Sequence, residues 1–286
     1  MARVAVLGHA CLDHRFWTAE FPPVRARTPV GAHRTDVGGP GAVGAVAVAR
    51  LGGEAIFFGR RGDDATGEQV AALLRADRVD TLAFRACPGG RTPVSGILIA
   101  RDGERYIFPY LGTALPDDPG WLPLDALESA DAVLIDARWP AGAMRLAEAA
   151  RRRELPVVLD LDLDTSEAWR LAHHATHVIA DEEMATACGG VGATLKRVSD
   201  LGVWGAVTLG AGGVAYPGGS FPAFRVTVLD TTGAGDVFHG AFALAMAEGQ
   251  DEGYAITFAS AAAAQRCALA EVPTRRDVIR LLEGRG

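Results

Sequence analysis

Short apolar runs alternate along this chain with alanine-rich stretches of helical length, and this alternation constrains the fold more than any other feature. The apolar runs lie at residues 4–7, 55–58, 132–135, 156–159, 177–179, 206–209 and 214–216. The helical stretches lie at 42–51, 67–75, 142–152, 185–187 or slightly longer, 192–201, 237–248, 254–268 and 274–282. Alternation of this kind predicts an α/β fold, a mainly parallel sheet with helices on both faces in three layers. Ligands of such folds sit beyond the carboxyl ends of the strands.

Two segments break the pattern. Residues 94–100 and 105–109 are extended and joined by Arg101-Asp102-Gly103-Glu104, and Asp-Gly between such runs is a strong hairpin signal. Residues 15–31 lack helical periodicity and contain Pro22, Pro23 and Pro29. Two irregular surface loops would account for both. The favoured expectation is a small β-sheet lid built from about residues 12–36 and 91–112, because long loops in compact domains often cover sites.

With 286 residues the chain has an ample core, and we read residues 1–286 as one domain. No apolar run is long enough to span a bilayer and no signal-peptide pattern opens the sequence, so the expected location is the cytoplasm. Cys11, Cys87, Cys188 and Cys267 are scattered without paired spacing, which argues against a zinc site or a disulfide framework. A net charge of -7 without a basic run argues against nucleic acid as the main partner. Lys196 is the only lysine, so a P-loop cannot be present.

The chemistry concentrates in Asp230-Thr231-Thr232-Gly233-Ala234-Gly235-Asp236. Residues 224–229 alternate like a strand before it, and an apolar helical stretch follows. Small residues at a helix N-terminus leave N–H donors free, and the helix dipole adds to their pull on an anion. An acid beside an anion hole needs a reason, and proton abstraction from a hydroxyl supplies one for Asp236.

This loop, with Val237-Phe238-His239-Gly240-Ala241-Phe242, resembles the C-terminal signature of the ribokinase-like (PfkB) carbohydrate kinases. Gly38-Gly39-Pro40-Gly41-Ala42 and the following helix resemble the N-terminal signature. Residues 58–67 and Val207-Thr208-Leu209-Gly210-Ala211-Gly212-Gly213 are similar to two further family stretches, so the likeness covers nearly the whole chain. It implies a ribokinase-like fold with a lid and ATP-dependent phosphorylation of a sugar-like hydroxyl. It also implies magnesium, a monovalent cation such as potassium, and a homodimer formed lid to lid.

Carried over by residue, the likeness makes Asp236 the base and gives the Gly233, Ala234 and Gly235 amides to the transferring phosphoryl. Thr208, Gly210 and Gly213, with Gly233 and Gly235, would line the nucleotide. Asp13, Gly38 and Gly39 would face the substrate, and a carboxylate at Asp13 accepts two hydroxyl hydrogen bonds at once. Asp230 would sit near the monovalent cation. The family's N-x-x-E motif is degraded to Ala180-Asp181-Glu182-Glu183, with Glu183 the candidate for the magnesium region and a helix-start acid cluster the plain alternative. Val43 stands where many sugar kinases carry asparagine, so part of the usual sugar contact is missing or replaced.

Asp136-Ala137-Arg138-Trp139 follows a strand directly, where Arg138 would clamp an anionic group or form a surface ion pair. With Val43 and the C-terminal signature, this stretch resembles the branch containing 6-deoxy-6-sulfofructose kinases. Arg27, in the expected lid, would be a second cation for a sulfonate. The resulting expectation is a ketose acceptor phosphorylated at C1, with a nucleoside or neutral sugar as the alternative within kinases.

Other features point elsewhere. Gly39-Pro40-Gly41-Ala42-Val43-Gly44 fits a dinucleotide fingerprint, but the first strand does not feed it and Pro40 disfavours the turn, which weakens a nicotinamide oxidoreductase. A non-catalytic sugar sensor is opposed by the intact Asp236. His173, His174 and His177 read as a solvated helix end rather than a metal site, and Asp160, Asp162 and Asp164 as a solvated strand end.

Overall fold

The computed structural model describes residues 1–19, 27–100 and 105–284. The expected turn at residues 101–104 and part of the first lid segment, 20–26, lie outside the described residues. The strands are β1 (Arg3–Leu7), β2 (Cys11–Trp17), β3 (Ala32–Gly38), β4 (Glu54–Gly62), β5 (Phe84–Cys87), β6 (Val94–Ile99), β7 (Arg105–Tyr110), β8 (Ala132–Asp136), β9 (Val157–Leu161), β10 (His177–Asp181), β11 (Trp204–Thr208), β12 (Val214–Tyr216) and β13 (Gly219–Phe221). The α-helices are α1 (Pro40–Arg50), α2 (Ala65–Ala76), α3 (Pro140–Arg151), α4 (Ser166–Ala172), α5 (Glu182–Ala187), α6 (Val191–Asp200), α7 (Ala234–Ala247), α8 (Glu252–Leu269) and α9 (Arg275–Leu282).

The main sheet runs β13-β12-β11-β10-β9-β8-β1-β4-β5 and is parallel from β11 to β5. Its strands sort side chains by alternation, as a period of two requires. Val4, Val6, Phe57, Leu134, Val158 and Ile179 point into a core with α1, α7 and α8. Ala5, Leu7, Phe58, Val133, Ile135 and Leu159 point into a second core with α3 and α4. Both faces are therefore covered, which is why these strands read as continuous apolar runs.

From β1 the chain turns one way, to β4 and β5, and later returns on the other side as β8, β9 and β10. The reversal between β1 and β8 is the switch point where α/β sheets open a crevice. Beside it, β3-β2-β6-β7 form a separate four-stranded sheet made from both segments that broke the pattern. Helices α1 and α7 cross closely, because a Cβ on Gly240 would lie 2.4 Å from the Gly44 carbonyl oxygen. That close approach seats the start of α7 against the start of α1.

Several sequence expectations change. Residues 224–229 join no ladder among the described residues: exposure alternates only over 224–227, Val228 and Leu229 are both exposed, and Phe224, Arg225, Val226 and Val228 line the cavity. The short helix expected at 185–187 begins at Glu182, because Asp181 caps it by accepting from Met184 N–H at 2.7 Å. The short strand β5 was not expected, and α4, started by a Thr165 cap, is the helical stretch whose end is read at His173. The fingerprint at 39–44 follows β3 of the small sheet and opens α1 with Pro40 in its first turn.

Candidate active site

The loop at 230–236 lies between two spaces. On one side is a cavity of about 1100 Å³. It brings together Thr208 at the end of β11, Gly210 and Gly213 after it, and Ala234 and Gly235 at the start of α7; Gly233, the remaining residue of the expected nucleotide set, is not in its lining. Phe238, Ala263, Ala264 and Cys267 add apolar wall from α7 and α8. Ser260, which sequence reasoning missed, lines this cavity with a buried hydroxyl that has no partner among the described residues. Asp181, Glu182 and Glu183 face the same cavity, so the acid cluster both starts α5 and presents hard oxygen donors beside the phosphate-side glycines.

Gly233 caps α7 in the left-handed conformation, φ 77°, which a glycine adopts without strain. Its N–H and that of Gly235 have no intramolecular acceptor among the described residues. The Ala234 N–H differs from expectation: it donates to the Thr231 carbonyl at 3.2 Å and closes the turn. The loop thus offers two free amides at a helix N-terminus. Asp236 is in the first turn of α7, partly accessible. Burial and the carboxylates of Asp162, Asp13 and Asp136 push its pKa up to about 7, with Arg138 opposing.

On the other side is the switch-point crevice. Asp13 on β2 is buried, and burial raises its pKa against the help of Cys11 and Arg15. Gly38 makes room for it: a Cβ there would lie 2.1 Å from Asp13 Oδ1. Gly39 begins α1 with φ 90° beside the His9 carbonyl. Val43 is buried, with Cγ1 3.6 Å from where a Cβ on Gly233 would stand, so it supports the loop from below.

Asp136, at the end of β8, is a brace the sequence did not reveal. Its Oδ2 accepts from His9 N–H at 2.7 Å and Gly41 N–H at 3.0 Å, and its Oδ1 from Arg138 N–H at 2.9 Å. Burial nevertheless pushes its pKa up to about 6. His9 beside it is held near 4, first by burial and then by Arg138 and Arg60. The Arg138 side chain pairs with Asp162. Asp160 is buried rather than solvated, with its Oδ1 3.5 Å from His239 Nε2, and burial and neighbouring carboxylates raise its pKa well above the usual range. Its apolar flanks at 157–161 were the available signal. Arg27 is exposed, and among the described residues no hydrogen bond or ion pair ties it to this crevice.

Asp230 is also placed differently from expectation. It is buried, and Arg15 Nη1 and Arg266 Nη2 bind its Oδ2 at 2.7 and 3.1 Å. Neither arginine was singled out in the sequence, since both partners are remote along the chain. Among the described residues no cluster of three or more histidine, cysteine or acidic side chains is arranged to hold a metal ion.

The family model for pfkB family carbohydrate kinases matches residues 1–271. The chain belongs to that family. It is 30% identical to ribokinase of Bacillus subtilis, over 99% of this chain and 100% of that protein. The crystal structure of a putative ribokinase from Agrobacterium tumefaciens superposes with a TM-score of 0.91 at 31% identity, covering 99% of this chain and 98% of that one. Arabidopsis thaliana ribokinase, solved with ribose and ATP, gives a TM-score of 0.83 at 26% identity, with 99% of each chain covered. The protein is therefore a ribokinase-like sugar kinase, a phosphotransferase with an alcohol acceptor. The two-sheet architecture is the family's fold. No helix among the described residues is long and apolar enough to cross a membrane.

Proposed function

We propose that this protein transfers the γ-phosphoryl group of ATP to a primary hydroxyl of a neutral sugar, with residues 1–286 acting as one kinase domain. One observation carries the reading. Asp236, with a pKa of about 7, stands in the first turn of α7 beside two free helix-terminal amides, of which Gly235 lines the cavity, and among the carboxylates of Asp162, Asp13 and Asp136. A base tuned to that value takes a hydroxyl proton near neutral pH.

ATP would lie along the cavity, with its base against Phe238, Ala263 and Ala264 and its phosphates toward Gly210, Gly213 and Gly235. In the crevice Asp13 would hold sugar hydroxyls. As Asp236 accepts the proton, the hydroxyl oxygen bonds to the γ-phosphorus in line and the bond to the ADP oxygen breaks. The Gly233 and Gly235 amides stabilise charge on the transferring group. Glu183 and Asp181 would hold magnesium carried on the phosphates; bound there, it neutralises developing charge. The small sheet acts as a lid that excludes water as a competing acceptor. An ATP-dependent activity of this kind fits the cytoplasm.

A neutral acceptor is favoured by charge. Asp13, Asp136, Asp160 and Asp162 surround the crevice, while Arg138 is paired with Asp162 and Arg60 with Asp117. A sulfonated ketose would have to displace Asp162 from Arg138. The lid edge β7 exposes Ile107, Phe108 and Tyr110, with Leu111 following, which supports a lid-to-lid homodimer.

The test is ATP consumption across ribose, fructose, 6-deoxy-6-sulfofructose, fructose 6-phosphate, 2-keto-3-deoxygluconate and adenosine. Turnover of ribose or fructose is expected. Turnover of the anionic sugars alone, or of adenosine alone, would overturn the neutral-sugar reading.

A further inference from the structure

The family resemblance implied a monovalent cation at Asp230, and the residues present do not fit one. Asp230 Oδ2 accepts from Arg15 Nη1 and Arg266 Nη2, and its Oδ1 accepts from Thr232 N–H at 2.8 Å. Asp230, Arg15 and Arg266 are each at most 4% exposed. A cation drawn to this carboxylate would face two buried guanidinium charges in a medium that screens them poorly.

We propose that Arg15 and Arg266 supply the positive charge that a monovalent cation would bring to this loop, so the kinase works without one. Arg266 is the fixed part. Its Nη1 reaches the Asp230 carbonyl at 3.4 Å, and its Nε lies 4.0 Å from where a Cβ on Gly233 would stand. The neighbouring Cys267 carbonyl accepts from Leu229 and Asp230 N–H at 2.9 and 3.2 Å. Helix α8 therefore holds the start of the loop by main chain and side chain together, behind the Gly233 and Gly235 amides.

Arg15 is the linking part. Its Nε lies 3.3 Å from Asp36 and its Nη2 3.8 Å from Asp13, both in the small sheet. One guanidinium thus joins the acceptor-side carboxylate to the phosphoryl-side loop. Arg105 of β7 adds a second tie by donating to Thr231 Oγ1. Both Arg15 and Arg266 are positioning residues, since they act through the loop.

The inference rests on the kinase reading, so its test has an arm that needs no turnover. In the first arm, kcat is measured with potassium replaced by choline at a constant ionic strength of about 0.1 M, which holds screening fixed. The wild type is expected to change by less than about twofold; activation by potassium of about tenfold or more overturns the proposal. In the second arm, Arg266→Met removes the charge but keeps bulk, and Arg15 still pairs Asp230. Its kcat should fall about tenfold to a hundredfold, with partial recovery in potassium or guanidinium, while Arg266→Lys stays potassium-independent. Full activity of Arg266→Met in choline overturns the proposal. In the third arm, thermal unfolding is followed in the same salts. Potassium should leave the wild-type Tm unchanged and raise that of Arg266→Met. A potassium-specific rise in the wild type overturns the proposal even if no acceptor sugar is ever found.

Discussion

Asp136 Oδ2 accepts the Gly41 N–H at 3.0 Å, so the end of β8 holds the first turn of α1. The same oxygen accepts from His9 N–H, and the three segments meet at the switch point of the sheet. Asp136→Ala leaves three backbone donors without their acceptor and should destabilise the protein by about 3 kcal/mol. Asp136→Asn, which keeps an acceptor oxygen, should cost less. Urea unfolding of both variants measures the difference.

Asp236→Asn should lower kcat by about a thousandfold, the scale of a lost general base. It should also change the pH dependence of stability. The native pKa of Asp236, about 7, is above its ordinary value of 3.8. The wild type therefore has this group's full stability contribution below about 3.8 and loses it as pH rises through about 7. Tm of Asp236→Asn should match the wild type near pH 4 and exceed it at pH 8. Equal Tm values at both pH values would count against a destabilised carboxylate at this position.

The acid limb of kcat/KM should have an apparent pKa near 7, because the base must be deprotonated to act. Asp162 is the carboxylate that raises Asp236 most. Asp162→Asn should move that limb down by about one unit. An unmoved limb in this variant would assign the titration to another group.

Gly38→Ala should disturb the acceptor and spare the nucleotide. The new Cβ would stand 2.1 Å from Asp13 Oδ1, while the nucleotide cavity is lined by other elements. The KM for sugar should rise about tenfold or more, with the KM for ATP within about twofold of the wild type. Steady-state kinetics in both substrates reads this directly.

Phe108 is 58% exposed on the lid edge, and Ile107 and Tyr110 flank it. Phe108→Glu should convert the proposed dimer to monomer in light scattering, since a charge on each side of a buried contact is unfavourable. A wild type that is monomeric at tens of micromolar would remove the lid-to-lid interface.

Much of this molecule follows from local pattern. The runs at 4–7, 132–135 and 177–179 are strands because unbroken apolar stretches fit a sheet covered on both faces. Gly233 and Asp236 announce a helix N-terminus with an acid in its first turn, since small residues and caps act within a few positions. The strand expected at 224–229 shows the limit of such reasoning: the segment lies along a cavity wall, and strand status needs a partner that local sequence does not name.

The tertiary structure decided everything that depends on charges meeting across the chain. Asp236 acquires its raised pKa first from burial and then from Asp162, Asp13 and Asp136, which arrive from the end of β9, β2 and β8. Asp230 acquires Arg15 from 215 positions away and Arg266 from 36. Arg138 reads in the sequence as either an anion clamp or half of an ion pair, and the fold pairs it with Asp162. The division has one physical cause. Propensity, capping and periodicity act over a few residues, whereas electrostatic interactions depend on distance in space and on burial, which only the folded chain sets.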